Sequence, residues 1–241
     1  MNDAKVKQFW AIIPAAGVGK RMASHQPKQY LPLHQKTVIE HSLSRLLQVD
    51  KVQGAVVALG AQDQYWPDIA AAFNKPVFTV EGGNERYDSV LNALLYLQQH
   101  LNKTSSENWV LVHDAARPCV RLQDINKLIL QASVHDDGGL LAAPVRDTMK
   151  RQQENALGVE KTVDRKGLYH ALTPQMFKLD LLIKALQNAQ QQGQPVTDDA
   201  SAMELAGYHP LLVDGHDDNI KITRPFDLTL ANLYLQEQMN E

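Results

Sequence analysis

Cys119 is the single cysteine in 241 residues, so no internal disulfide can form, and with no His and Asn constellation assignable to it the thiol reads as a packing residue. No stretch approaches the roughly 20 apolar residues that span a bilayer. The amino-terminal apolar run Phe9 to Ile13 is stopped by Pro14 before it could serve as a signal-peptide core. A formal net charge of -3 supplies no basic surplus for binding nucleic acid, which depends on neutralising many phosphates. The nine histidines show neither an HExxH pattern nor a zinc-like pairing with the lone cysteine, and Asp214–Asn219 lacks the spacing of an EF-hand loop. No internal repeat is present. These absences predict a cytoplasmic protein with no membrane and no nucleic-acid partner, folded as one domain over residues 1–241.

What is there is a recurring alternation. Short apolar runs rich in β-branched residues stand at Phe9–Ile13, Val52–Leu59, Val77–Val80, Trp109–Val112 and Leu140–Val145, and shorter strand candidates at Leu211–Val213 and Ile220–Ile222. Between them apolar residues recur at helical spacing: Val38, Leu43, Leu46, Leu47; then Val90, Leu94, Leu97, Leu101; then Ile125, Leu128, Ile129, Ala132. Further helical patterns follow at Leu179–Leu186 and Ala200–Ala206, with a last helix from Asp227 to about Gln236 that Thr223 and Pro225 are suited to begin. Thr37 with Glu40 has the spacing of a capping box. Strand alternating with helix predicts an α/β, Rossmann-like fold: a mostly parallel sheet with helices on both faces. The alternation weakens at about 146–171, a polar segment with short β-like fragments such as Leu168–His170. It reads as an extended β-arm, and because exposed strand edges are commonly covered, as a dimerisation arm.

In an open parallel sheet ligands bind beyond the carboxyl ends of the strands, and the loop after Pro14 leaves such an end. Ala15, Ala16, Gly17 and Gly19 keep side-chain bulk low there, so backbone N–H groups can approach phosphate oxygens or a base edge. Lys20, Arg21 and Lys28 add charge suited to a polyphosphate. Neither common phosphate loop matches: a P-loop needs four residues between its glycines where only Val18 stands, and a dinucleotide fingerprint needs a small residue at Met22. A glycine-containing surface turn is the competing reading of the loop alone. Other polar clusters, Gly82–Ser89, His113–Pro118 and Asp217–Thr223, also follow strand candidates and should converge on the same rim.

Taken together, PAAGVGKRM at 14–22, PKQYL at 27–31, GGNERYDSV at 82–90, VHDAARPC at 112–119, APVRDTMK at 143–150, TVDRKGLYHALTPQ at 162–175, TDDASAME at 197–204 and DNIKITRPFD at 218–227 resemble the 2-C-methyl-D-erythritol 4-phosphate cytidylyltransferase family of the non-mevalonate isoprenoid pathway. The resemblance covers nearly the whole chain. It implies attack of the methylerythritol phosphate on the α-phosphorus of CTP, release of pyrophosphate, and a requirement for Mg²⁺. A phosphate monoester is already an anionic nucleophile, so such chemistry demands alignment and charge stabilisation rather than a general base.

By that resemblance Arg21 and Lys28 stabilise the transition state, and Asp114 is the metal carboxylate. Pro14, Ala15, Ala16, Gly17, Gly19, Gly83, Asn84 and Ser89 form the nucleotide site. Asn84 stands where some relatives carry Asp; it keeps an amide oxygen able to accept from the cytosine amine. Arg117, Thr148, Thr173 and Thr197 meet the second substrate, and Arg165 and Lys221 hold its phosphate. Asp217 and Asp218 read as loop residues that orient Lys221. Relatives cross the arm to a partner subunit, which implies a homodimer with shared sites. Alternatives weighed beside this reading are a cytidylyltransferase for another alditol phosphate such as ribitol 5-phosphate, a noncatalytic nucleotide-binding protein on the same fold, and an NAD-linked oxidoreductase.

Overall fold

The computed structural model describes residues 6–17, 26–101 and 106–240. Phe9, Ala11, Ile12 and Ile13 are buried in consecutive fashion along β1 (Val6–Pro14), because a central parallel strand has protein on both faces. Along the chain follow β2 (Pro32–Leu33), β3 (Lys36–Thr37), α1 (Val38–Leu47), β4 (Val52–Leu59), β5 (Val77–Glu81), α2 (Arg86–His100), β6 (Ser106–Val112), α3 (Leu122–Ala132) and β7 (Gly139–Pro144). Then come β8 (Met149–Gln152), β9 (Val159–Val163), β10 (Tyr169–Lys178), α4 (Leu179–Gln191), α5 (Asp199–Leu205), β11 (Leu211–Asp214) and α6 (Pro225–Asn240).

Seven strands form one sheet in the order β11-β7-β10-β6-β1-β4-β5. Every neighbour pair is parallel except those of β10, which runs antiparallel to β6 and β7. From β1 the chain first builds outward through β4 to β5, then returns to place β6 on the other side of β1. That reversal opens a crevice at the carboxyl ends of β1 and β6, the position where ligands bind in such sheets. The loops after β1, β5, β6 and β11 all open onto this rim.

Apolar stripes seat the helices on the two faces. Leu43, Leu46, Ile125 and Leu128 of α1 and α3 pack in one cluster with Ile13 and Val57, while Leu94, Leu97, Leu182 and Leu186 of α2 and α4 pack in another with Ile12 and Val56. Each fully buried Leu or Ile of this kind is worth about 1.5–3 kcal/mol. The predicted capping box at α1 is formed: Thr37 N donates to Glu40 Oε2 at 2.7 Å, and Glu40 N donates to Thr37 Oγ1 at 3.4 Å. At the other end of the chain, Asp227 Oδ2 accepts from Thr223 N and Arg224 N, each at 2.8 Å, and fixes the start of α6. No helix among the described residues is long and apolar enough to cross a membrane.

Two elements differ from the sequence-based expectation. The strand expected at Ile220–Ile222 is a loop: Ile222 is fully buried against Leu33, Ala116 and Leu235, and its N–H bonds Ala116 O at 2.9 Å without any ladder. Conversely, the antiparallel β10 extends through Ala171–Phe177, a stretch the sequence pattern does not mark as strand because Thr173, Pro174 and Gln175 interrupt the apolar run. Its first residues, Tyr169–Ala171, pair with β7, so the excursion leaves the sheet after Pro144 and rejoins it at Tyr169. Between those points β8 and β9 form an antiparallel hairpin whose residues are almost all exposed.

Candidate active site

Low bulk at the end of β1 lets neighbouring segments close in on it. Ala15 N bonds Ala58 O at 2.8 Å, and Ala15 O accepts from the buried Gln29 Nε2 at 2.7 Å. Gln29 belongs to a single helical turn, Lys28–Tyr30, so this bond fixes Lys28 beside the β1 loop. Opposite lies the loop before α2. A Cβ on Gly82 would stand 2.4 Å from Ala16 Cβ, and one on Gly83 would stand 2.2 Å from Asp88 Cβ; only glycine permits this approach. Ser89 Oγ accepts from Gly83 N at 3.1 Å, so Ser89 shapes the turn as well as lining the space it encloses.

That space is a cavity of about 200 Å³ lined by Pro14, Ala15, Ala16, Gly17, Lys28, Gly83, Asn84, Ser89, Asp114 and Lys221, with Arg86 on its wall. A second cavity of about 280 Å³ is lined by Arg117, Thr173, Gln175, Thr197 and Lys221, and shares Arg86, Asp114 and Lys221 with the first. Lys28 and Lys221, far apart in sequence, therefore face one space. Lys28 Nζ donates to Ile222 O at 2.9 Å, tying the two loops directly.

Asp114 is the hub of the shared wall. Its Oδ1 meets Arg86 Nε at 3.1 Å, and its Oδ2 meets Lys221 Nζ at 2.9 Å and Arg117 Nε at 3.3 Å. Burial alone would raise its pKa, but Arg86, Lys221 and Arg117 outweigh that and hold the carboxyl far below the usual carboxylate range. Arg86 also reaches the fully buried Asp199, at 2.9 Å to Oδ2, while Asp199 Oδ1 is buried without a hydrogen-bond partner among the described residues. Burial pushes the Asp199 carboxyl up against the pull of Arg86. Burial also works against the Arg86 charge, yet the two carboxylates together keep the guanidinium protonated above its ordinary range.

His113 supports this hub from beneath. Its Nδ1 lies 2.8 Å from Thr173 Oγ1 and its Nε2 lies 3.0 Å from Arg117 O. Thr173 Oγ1 in turn accepts from Asp114 N at 3.2 Å. The consistent arrangement is a neutral ring that donates through Nε2 to Arg117 O and accepts at Nδ1 from the Thr173 hydroxyl. Complete burial lowers its pKa to about 4, so the ring stays neutral near pH 7.

The sequence-predicted residues thus fall into three groups. Pro14, Ala15, Ala16, Gly17, Lys28, Gly83, Asn84, Ser89, Asp114, Arg117, Thr173, Thr197 and Lys221 line the two joined cavities. Thr148 and Arg165 line neither; both are exposed, on the excursion that carries the β8–β9 hairpin. Gly19 and Arg21 lie outside the described residues. Arg86, in sequence terms at most a salt-bridge partner, and Asp199, Gln175 and His113, which the sequence assigns no site role, are part of the site's wall or its support. Residues such as Arg86 and Asp199 are brought together only by the fold. The available signal was that all four stand inside the motifs at 82–90, 112–119, 162–175 and 197–204.

The family model IspD, described as 2-C-methyl-D-erythritol 4-phosphate cytidylyltransferase, matches residues 9–237. The chain is 52% identical over 228 residues to the 2-C-methyl-D-erythritol 4-phosphate cytidylyltransferase of Vibrio vulnificus (strain YJ016), covering 95% of this chain and 94% of that one. It is 47% identical over 241 residues to the enzyme of the same name from Hahella chejuensis, covering 100% and 98%. Among solved structures, the Francisella tularensis 2-C-methyl-D-erythritol 4-phosphate cytidylyltransferase superposes with a TM-score of 0.78 at 34% identity, covering 94% of this chain and 99% of that one. The Thermus thermophilus protein of the same name gives 0.76 at 28% identity, covering 95% and 99%.

Proposed function

Given that this chain belongs to the 2-C-methyl-D-erythritol 4-phosphate cytidylyltransferase family, we propose how its two joined cavities divide the work of that reaction. The enzyme is a nucleotidyltransferase that joins CTP to 2-C-methyl-D-erythritol 4-phosphate and releases pyrophosphate; the family and its named members do not favour another alditol phosphate as acceptor. The observation that carries the division is that Lys28, Asp114 and Lys221 line one cavity whose other walls are the small-residue β1 loop and the glycine turn before α2.

CTP occupies the first cavity, with the base against Ala15, Ala16, Gly83, Asn84 and Ser89, and the triphosphate running toward Lys28. The backbone approach enforced at Gly82 and Gly83 leaves a slot suited to the smaller pyrimidine ring, and the Asn84 amide oxygen accepts from the cytosine amine. The acceptor occupies the second cavity, met by Arg117, Thr173 and Thr197. Lys221 stands where the cavities join and holds the acceptor phosphate against the α-phosphorus. No proton needs to be abstracted from that phosphate. The protein's contribution is to align two repelling anions and to stabilise charge as pyrophosphate leaves.

The donor set also bears on Mg²⁺. Among the described residues no group of three or more His, Cys, Asp or Glu side chains gathers in metal-binding fashion. Both Asp114 oxygens already accept from cations. With few carboxylates at hand, Asp114 is the residue that would help hold an Mg²⁺ ion brought in with the triphosphate, and such an ion would supply neutralisation of phosphate charge.

The arm supplies the remaining part of the proposal. Thr148 and Arg165 line neither cavity of their own chain; on this reading the hairpin crosses to another subunit and brings them to its second cavity, which makes the active form a homodimer with shared sites. Exposed Met149, Leu157 and Val159 on the hairpin support a covered surface there. Cytoplasmic residence belongs to the same reading. A coupled pyrophosphate assay with CTP, ATP, UTP and GTP against methylerythritol phosphate, with and without Mg²⁺, tests it. Turnover with CTP that needs both acceptor and Mg²⁺ is expected; turnover of ribitol 5-phosphate alone, or none with CTP, refutes it.

A further inference from the structure

Lys221 sits on a segment, residues 215–224, that has no helix or strand of its own to set its shape. Its position therefore depends on ties to neighbouring elements, among them the backbone bonds of Gly215 N to Ala142 O and Ile222 N to Ala116 O, each at 2.9 Å, and several side-chain contacts. One of them joins His216 to Asp124. His216 N donates to Asp124 Oδ2 at 3.0 Å, and His216 Nδ1 faces both carboxylate oxygens, at 2.8 and 2.9 Å. Among the described residues, the Asp124 carboxylate has no other partner. Its side chain is 3% exposed, on the first turn of α3, whereas that of His216 is 45% exposed.

Deepening the function proposed above, and resting on it for the role of Lys221, we infer that His216 and Asp124 form a latch that positions the Lys221 loop for phosphate alignment. Neither residue lines the two cavities, so both are positioning residues rather than catalytic ones. The latch refers the loop to a rigid body: α3 is held to the sheet through the buried Ile125, Leu128 and Ile129. The carboxylate accepts only if the ring carries hydrogen on Nδ1. On the other side of the ring, Gln123 Nε2 lies 3.4 Å from His216 Nε2.

The other ties of the loop make this one informative. Arg146 meets Asp217 at 2.7 Å, but the two side chains are 75% and 50% exposed, so the pair contributes little rigidity. Asp218 Oδ2 accepts from Arg121 Nε and from Gln238 Nε2, each at 2.9 Å, and Arg117 Nη1 donates to Asn219 O at 2.6 Å. These hold the middle and far end of the loop. Just after the Gly215 N to Ala142 O bond that closes β11, His216 ties the entry of the loop to α3 through two hydrogen-bonding groups on one buried acceptor. Freeing the entry lets Lys221 shift relative to Asp114 without unfolding the protein, and displacements of about 1 Å at a reacting centre cost up to about 10²-fold in rate.

The test compares His216→Ala with His216→Asn, whose amide nitrogen reaches close to the Nδ1 position and restores the donor. With CTP and methylerythritol phosphate, His216→Ala should lose about tenfold in kcat and gain several-fold in acceptor KM, while CTP binding measured without acceptor stays within about twofold of wild type. His216→Asn should recover most of the loss. Amide hydrogen exchange of the free protein should show faster exchange over residues 216–222 in His216→Ala only. Unchanged kcat and acceptor KM with only a lowered Tm would overturn the latch, as would a His216→Asn enzyme as impaired as His216→Ala. A wild-type enzyme inactive on CTP and methylerythritol phosphate would refute the proposed function instead. Exchange would then decide the latch by itself, with unaltered protection in His216→Ala overturning it.

Discussion

Replacing Arg86 by Gln should unsettle the fold through a residue it does not touch along the sequence. Asp199 is fully buried, one of its oxygens is already without a partner among the described residues, and the other accepts from Arg86 at 2.9 Å. Gln keeps much of the side-chain volume and removes the charge, leaving the Asp199 carboxylate buried and uncompensated. Breaking a buried pair from one side costs about 3–5 kcal/mol. The Arg86 side chain is 26% exposed, so water moderates the loss and the lower end, about 3 kcal/mol, is expected. In a chain of this length each kcal/mol lowers Tm by about 2–4 °C, which predicts a fall of about 6–12 °C at pH 7.5.

The sign of the pH response follows from Asp199. Burial raises its folded-state pKa, so in the window above the unfolded value the native state binds more protons, and stability falls as pH rises through that window. Removing Arg86 takes away the partner that counteracts the rise, so the deficit of Arg86→Gln should shrink as pH is lowered. Adding Asp199→Asn removes the charge itself, and the double variant should be more stable than Arg86→Gln at pH 7.5. Thermal melts of the four proteins of this cycle by circular dichroism check it. A fall below about 3 °C for Arg86→Gln, or a double variant no more stable than that single one, would refute the reasoning.

Lys28→Ala should lower kcat by about 10²–10³ in the pyrophosphate assay while the fold is kept, because the amine's bond to Ile222 O is only partly buried. His113, with its pKa lowered to about 4 by burial, contributes stability that is full above its unfolded value near 6.5 and is lost as pH falls toward 4. Guanidinium unfolding at pH 7 and pH 5 should show that loss, worth up to about 3 kcal/mol in total, and His113→Asn should flatten it. If the arm crosses between subunits, Lys28→Ala and Arg165→Ala dimers, each nearly inactive, should regain about a quarter of wild-type activity after subunit exchange, since half the dimers then hold one intact site. No recovery in demonstrably mixed dimers would place Arg165 outside the partner's site.

Legibility in the sequence tracked how locally each feature is determined. β1, β4, β6 and β7 stand where apolar runs predict them, since a strand buried on both faces needs little else. β10 was hidden because the residues that make it useful, Thr173 and Gln175, point polar atoms at the site and its support and break the apolar pattern. Ile220 and Ile222 imitate a strand because both pack against the α6 cluster, yet no neighbouring strand among the described residues is there to pair with them. In the site, the loop motifs located the cavity walls well. The pairings Arg86 with Asp199 and His216 with Asp124 were illegible, being separated by 113 and 92 residues with no periodicity to connect them.

The charge arrangement at the junction explains how a chain of net charge -3 can receive two polyanionic substrates. Arg86, Arg117 and Lys221 meet around two carboxylates, Asp114 and Asp199, while Glu85 and Asp198 also line the cavities, so what favours the anions is how the cations are held rather than a surplus of charge. If Asp114 served to neutralise these cations, it would oppose binding. Its effect is instead geometric: three cations from separate segments are held within 3.3 Å of one carboxylate, on a residue whose backbone N–H bonds Thr173 Oγ1. A preorganised cluster spends no reorganisation when charge develops on a transferring phosphoryl group, whereas three mobile side chains would have to be ordered at that moment.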